Sequence, residues 1–309
     1  MHPILFRIPG LGLAIPGFGV MVALGAWLAW RLMDAYARRL GLDRARLDSV
    51  LLWTFAAIFV GARTLYFAVH PALLFGDGVW LAPLRFIEVW KGGLVYYGGL
   101  IGGISVGVWR ARKAGFPLLV LLDITLTAAF LAQILGRVGC LLARCDHGME
   151  IKVADPAQAP WWLLRVPDPL PEGSILPRPT PGVPMFLVPA PILMSLKALF
   201  VHLTARVVLM RQRAWGVTSC WIVISYGILR SLIEMIRGDW DARGYVQLGG
   251  VPISTSQLIA IPFVLGGLLG LWYLRRHRAA EPVFPAAERA AQQSEGARVR
   301  QELTAAHRR

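Results

Sequence analysis

CWIVISYGILRSLIEMIRGD, residues 220–239, decides the fold. The run is apolar enough to cross a bilayer, yet it contains Arg230, Glu234 and Arg237. Charges at hydrocarbon depth are costly, so they face a polar interior and mark a site. At roughly 100° per residue, Tyr226, Arg230, Glu234 and Arg237 fall within a stripe about 80° wide. One helix face thus carries two guanidiniums, a carboxylate and a phenol. Such a face suits an anion such as phosphate. The plainer reading is an i,i+4 ion pair that snorkels to water.

The rest of the chain has the same character. Of 309 residues, 56% are hydrophobic and 16% charged, against about 25% charged in soluble domains. Seven stretches of membrane-spanning length lie near 11–31, 49–70, 93–110, 117–140, 186–208, 216–236 and 255–274. The expectation is an all-α, multi-pass membrane protein of about seven transmembrane helices. The net charge of +14 does not point to nucleic acid, because the basic residues flank apolar runs instead of gathering on a soluble domain.

Loop charges alternate. Arg31, Arg38, Arg39, Arg44 and Arg46 lie after the first span, Arg110, Arg112 and Lys113 after the third, Arg206, Arg211 and Arg213 after the fifth. Arg275, Arg276 and Arg278 follow the last. The positive-inside rule then puts the N-terminus outside and the C-terminus in the cytoplasm. MHPILFRIPG has no charged n-region or small-residue cleavage site and reads as no signal peptide.

Residues 1–278 form the expected transmembrane domain. Within it, 141–186 is an external loop. Eleven of the 21 prolines fall between Pro156 and Pro191, a density that favours extended and turn structure. The loop reads either as a cap over a site or as a tether. The Ala-, Gln- and Arg-rich tail, 279–309, reads as cytoplasmic and either disordered or a frayed surface helix. Cys140, Cys145 and Cys220 make no disulfide framework, although a loop at 141–148 would allow Cys140 and Cys145 to pair. No Cys/His spacing resembles a zinc site, and no cofactor or metal is expected.

Four motifs stand out. Trp90–Gly103 is glycine-rich and holds Tyr97, Gly98 and Gly99; glycines there allow close approach of a lipid headgroup or of a second helix. Arg137 ends a hydrophobic run, between Gly136 and Gly139, with Cys140 next. Its partner is either a phosphate or a structural carboxylate such as Glu234. The third motif is the Tyr226–Arg237 stripe. Ser254-Thr255-Ser256-Gln257 opens the last span and reads first as an N-cap.

Together with Gly61-Ala62-Arg63, Tyr66, Gly148 and the STSQL segment at 254–258, these motifs make the chain resemble the bacterial prolipoprotein diacylglyceryl transferases. The resemblance covers roughly residues 10 to 275. It implies a multi-pass enzyme of the bacterial plasma (inner) membrane. Its partners would be membrane lipids: phosphatidylglycerol as donor, and a prolipoprotein signal peptide with its lipobox cysteine as acceptor. The diacylglyceryl group passes to the cysteine thiol and glycerol phosphate leaves. Such chemistry needs a thiol that loses its proton and fixed cations at the departing phosphate. By resemblance, Arg137, Arg230 and Arg237 hold phosphate, Glu234 orients the arginines, and Tyr226, Gly139, Gly148, Gly98, Gly99 and Arg63 line the substrate site.

The chain departs from the family pattern at several points. Tyr97 stands where a histidine is usual, Cys140 for an asparagine, Cys145 for a glutamate and Phe18 for a tyrosine. Val188–Met194 replaces a polar segment before the fifth span. Tyr97 can orient a group but a phenol is a poor base near neutral pH. His147 is the candidate to take the thiol proton instead. Other readings stay open: another acceptor, a non-catalytic phospholipid-binding protein or, more weakly, a transporter, for which the sequence shows no internal repeat or paired broken helices.

Overall fold

The computed structural model describes residues 4–7, 14–75, 86–87, 93–143, 147–153, 155–168, 170, 176–177, 179–180, 183–237, 245–248 and 251–307. Nine helices lie among them: α1 Gly17–Arg39, α2 Arg44–Val69, α3 Pro71–Phe75, α4 Tyr96–Lys113, α5 Leu118–Ala143, α6 Ala190–Arg211, α7 Val217–Glu234, α8 Thr255–Leu274 and α9 Val283–His307. Six are long and apolar enough to cross a membrane. Each of the seven expected spans coincides with a helix. The third is the weakest, because Arg110, Arg112 and Lys113 occupy the last turn of the 18-residue α4. The chain is thus a helical multi-pass membrane protein; a count of seven crossings remains an expectation.

Two boundaries differ from the sequence reading. The first helix begins at Gly17, not near 11, because β1 Ile4–Arg7 and β2 Ala14–Pro16 pair as an antiparallel hairpin. Pro16 disfavours helix at the residue before it, so the apolar run before Gly17 goes into a strand. The tail is a helix over Val283–His307 and begins with a firm anchor. Phe284 is fully buried, with Tyr36 edge-on at 5.7 Å and Trp215 at 6.1 Å. The amides of Ala279 and Val283 donate to the Arg213 and Gln212 carbonyls at 2.7 and 2.9 Å. Composition averaged over the tail hides this one aromatic.

The chain divides into two compact units, Met1–Tyr36 with Leu122–Arg309, and Ala37–Leu121. In the smaller unit α2 and α4 pack through glycine. A Cβ on Gly61 would strike the Gly98 carbonyl, and one on Gly98 the Gly61 carbonyl. Bare backbones therefore meet, as small residues allow in membrane helices where no hydrophobic force drives association.

In the larger unit the core lies between α5, α6 and α7: Phe130, Ala198, Val201, Ala205 and Ile222, with Tyr226 and Leu229 against them. Gly227 and Gly267 bring α7 and α8 together. Gly25 and Gly139 let α1 approach α5, Gly139 lying against Met21 and Phe18. The proline-rich connection holds three two-residue strands, β3 Glu150–Ile151, β4 Leu164–Arg165 and β5 Phe186–Leu187, in the order β3-β5-β4. Two small apolar clusters, around Leu163 and Leu187, back it. Among the described residues, strands occur only in the connections and the N-terminal hairpin.

Helix α7 enters by an unusual device. Its N-cap is Gly216, at φ 99°, which offers no side chain. The carboxylate of Asp123, fully buried on α5, caps it instead. It accepts from the Gly216 and Ser219 amides at 2.7 and 2.8 Å, the Ser219 hydroxyl at 2.6 Å and Gln212 Nε2 at 2.8 Å. Carboxylates favour helix N-termini because the first amides lack intrahelical partners.

Candidate functional site

The Tyr226–Arg237 stripe is placed as the helical spacing predicts, except that α7 ends at Glu234 and Arg237 follows a two-residue turn. Arg230 Nη1 pairs with Glu234 Oε2, and Arg230 Nη2 donates to Ser256 Oγ at 3.1 Å. The pair is largely buried, with 12% and 4% of the two side chains exposed. Ser256 comes from the segment read as a cap. That segment is indeed a capping box, Ser254 and Gln257 exchanging bonds across the start of α8, but it also holds the guanidinium. Sequence reasoning missed this second role.

Arg237 is buried, with Nη1 3.8 Å from Met194 Sδ. It forms an antiparallel bridge with Gly148, so two residues singled out separately meet. The Gly148 amide donates to the Val188 carbonyl at 2.8 Å, and the Met149 amide to that of Ile236 at 3.0 Å. A Cβ at position 148 would stand 2.7 Å from both Val188 Cβ and the Val188 oxygen. Only glycine fits there without a shift.

Arg137, on α5, borders a cleft of about 140 Å³ between Ile134 and Leu141 of α5 and Ile192, Ser195 and Leu199 of α6. A Cβ on Gly136 would meet open space, whereas Gly139 is a packing glycine. Cys140 Sγ is 4.0 Å from Arg137 Nη1. His147 is half-buried, its Nδ1 3.0 Å from the Gly148 oxygen. If Nδ1–H donates there, Nε2 keeps its lone pair.

The sequence reading passed over Lys197, which lies inside the fifth apolar run. Its side chain is 5% exposed, and Nζ sits 4.1 Å from the centre of the Tyr226 ring. The charges that act on it are those of Arg137 and Arg230. The same rule that marked Arg230, a charge in a membrane-grade stretch, would have found it. The Tyr226 ring also meets Phe130 edge-on at 5.6 Å, which fixes its plane.

Arg63, Tyr97, Gly98 and Gly99 belong to the smaller unit. Arg63 is buried; Nε donates to the Phe86 oxygen at 2.9 Å and Nη1 to the Gly93 oxygen at 3.0 Å. It also lies over the Phe67 ring at 4.7 Å. These bonds hold the chain around Gly93, whose φ is +78°. Gly98 and Gly99 are buried in the α2–α4 contact, and Tyr97 is 47% exposed beside Tyr96. Trp90–Gly92, Arg144–Asp146 (with Cys145), Gly238, Asp239, Arg243 and Gly244 lie outside the described residues. No group of three His, Cys, Asp or Glu able to hold a metal occurs among the described residues.

Comparison with known proteins covers the apolar helices from α1 to α8. The family model for prolipoprotein diacylglyceryl transferase matches residues 3–273. A Clostridium tetani phosphatidylglycerol–prolipoprotein diacylglyceryl transferase is 29% identical over 269 residues, 87% of this chain and 96% of the relative. Proteins of the same name from Pseudoalteromonas atlantica and Pseudomonas aeruginosa are each 26% identical, over 94% and 87% of this chain and 96% and 93% of theirs. With the arginines of α5 and α7 in place and the match running from end to end of the spans, the chain belongs to the prolipoprotein diacylglyceryl transferase family.

Proposed function

We propose that this protein transfers the diacylglyceryl group of phosphatidylglycerol to the cysteine thiol of a prolipoprotein. Full-length similarity to relatives named for that reaction supports the reading. The observation that carries it is a set of buried and half-buried cationic side chains in one unit: Arg137 on α5, Lys197 on α6, Arg230 on α7 and Arg237 just beyond its end. Arg230 is paired with Glu234, and an anionic headgroup suits a site where several cations lie at membrane depth.

The reaction is a substitution at the glycerol carbon that bears the phosphate ester. The thiol gives up its proton, sulfur forms the C–S bond, and the C–O bond to phosphate breaks. Negative charge gathers on the departing phosphate. Fixed guanidiniums at low dielectric stabilise that charge more than they stabilise the diester, which is what lowers the barrier. Glu234 and Ser256 hold Arg230 so that little reorganisation is needed. The cleft beside Arg137 suits an acyl chain. His147 receives the thiol proton at Nε2, and the acceptor is presented by its lipobox. The enzyme sits in the bacterial inner membrane, N-terminus outside, with 141–186 on the outer face.

The test is rescue of a strain whose own transferase is switched off. A reporter lipoprotein should shift on a gel, and its N-terminal peptide should carry the diacylglyceryl mass. Well-inserted protein with no modified reporter, and with phosphatidylglycerol still consumed, would point to another acceptor. In the same assay His147→Ala should lose most transfer; full activity would remove His147 from the mechanism.

A further inference from the structure

Two polar side chains of α6 are buried within its apolar length, and they differ in one respect. His202 is 4% exposed, and its Nδ1 meets the Thr127 carbonyl at 2.9 Å, so it is a satisfied core histidine. Lys197 is 5% exposed and, among the described residues, has neither a carboxylate nor a hydrogen-bond acceptor. Its ammonium rests on the Tyr226 ring, and the charges around it, Arg137 and Arg230, have its own sign. A cation–π contact offsets only a small part of the hydration lost by an unpaired ammonium on so buried a side chain. Leucine or methionine would fill the same volume at lower free energy. Glu234 is already engaged by Arg230. The missing partner is therefore an anion that comes with a ligand.

We propose that Lys197 is a phosphate ligand, completing with Arg137 and Arg230 a cationic site contributed by α5, α6 and α7. The assignment rests on reading the arginines as the phosphate site. A tetrahedral phosphate accepts from several directions, which suits donors on three helices better than a planar carboxylate does. The bound diester carries one negative charge; the departing glycerol phosphate is a monoester carrying up to two near neutral pH. Lys197 accordingly grips the product more tightly than the lipid, and it favours the step in which that charge develops.

The experiment uses the full chain in nanodiscs containing phosphatidylglycerol, with sn-glycerol 1-phosphate as competing anion. Lys197→Met and the length-preserving Lys197→Gln should each weaken inhibition by sn-glycerol 1-phosphate by about tenfold, the loss of one charge-assisted hydrogen bond. The KM for phosphatidylglycerol should rise by less. Lys197→Arg should restore most of both. Thermal unfolding should show Lys197→Met no less stable than the parent, which a purely structural lysine would not allow. Arg137→Ala is measured alongside. If Arg137→Ala weakens the anion and the Lys197 variants do not, the lysine assignment fails alone; if none of them does, the phosphate reading fails with it. A fall in kcat with a shifted pH profile and unchanged inhibition by sn-glycerol 1-phosphate would overturn the ligand role in favour of proton transfer.

Discussion

At the residue scale the Arg230–Glu234 pair sets the terms. Both side chains are nearly buried, so neither charge has water to fall back on. Removing one partner strands the other. Glu234→Ala should destabilise the protein by about 3–5 kcal/mol, whereas the double change Arg230→Met with Glu234→Leu should restore most of that stability. The double variant should still transfer nothing, because the guanidinium is gone. Thermal unfolding in nanodiscs beside a transfer assay separates the two effects; a stable, active double variant would mean the pair is structural only. The spacing of these residues was legible in the sequence because helical geometry fixes i and i+4. Ser256 as the third member was not, because a bond across 26 residues depends on how α7 and α8 pack. Lys197 was visible as a charge in an apolar run, but its neighbours were not.

At the element scale the placement of α7 depends on Asp123. A helix that begins at a left-handed glycine has no capping side chain of its own. Of the four bonds to Asp123, two satisfy the Gly216 and Ser219 amides, and with those from the Ser219 hydroxyl and Gln212 they fix the start of α7 against α5. Asp123→Ala leaves buried donors without acceptors, and should cost about 3 kcal/mol or more. It should also lower transfer although Asp123 lies more than two helical turns in sequence from Arg137 on α5, since α7 carries Arg230. Measuring both quantities at a temperature where the variant stays folded tests this; unchanged transfer would show that α7 is positioned by its apolar contacts alone. The capping box at Ser254 is the local counterpart, and local sequence sufficed to read it. The cap on α7 joins residues 89 to 96 positions apart, beyond any local pattern.

At the scale of the whole molecule, large apolar side chains lie exposed along the long helices, among them Leu52, Trp53, Ile101, Leu203 and Leu269. Patches of that extent need a lipid surface. The tail is part of the same structure: Phe284→Ala should cost about 3–5 kcal/mol, read by thermal unfolding, and a change under 1 kcal/mol would make α9 a loose appendage. The charge pattern makes a further prediction. A reporter fused after His307 should be protected in intact spheroplasts, and labelling there from outside would reverse the orientation. The sequence by itself determined the class, the approximate spans, the family and the helix face bearing Arg230, Glu234 and Tyr226. Hydropathy, helical period and residue identity are local properties of the chain. Only the tertiary structure decided that Gly148 meets Arg237, that Asp123 caps α7, that Ser256 holds Arg230 and that Lys197 joins the cations. These are contacts between distant segments, set by packing that no local pattern encodes.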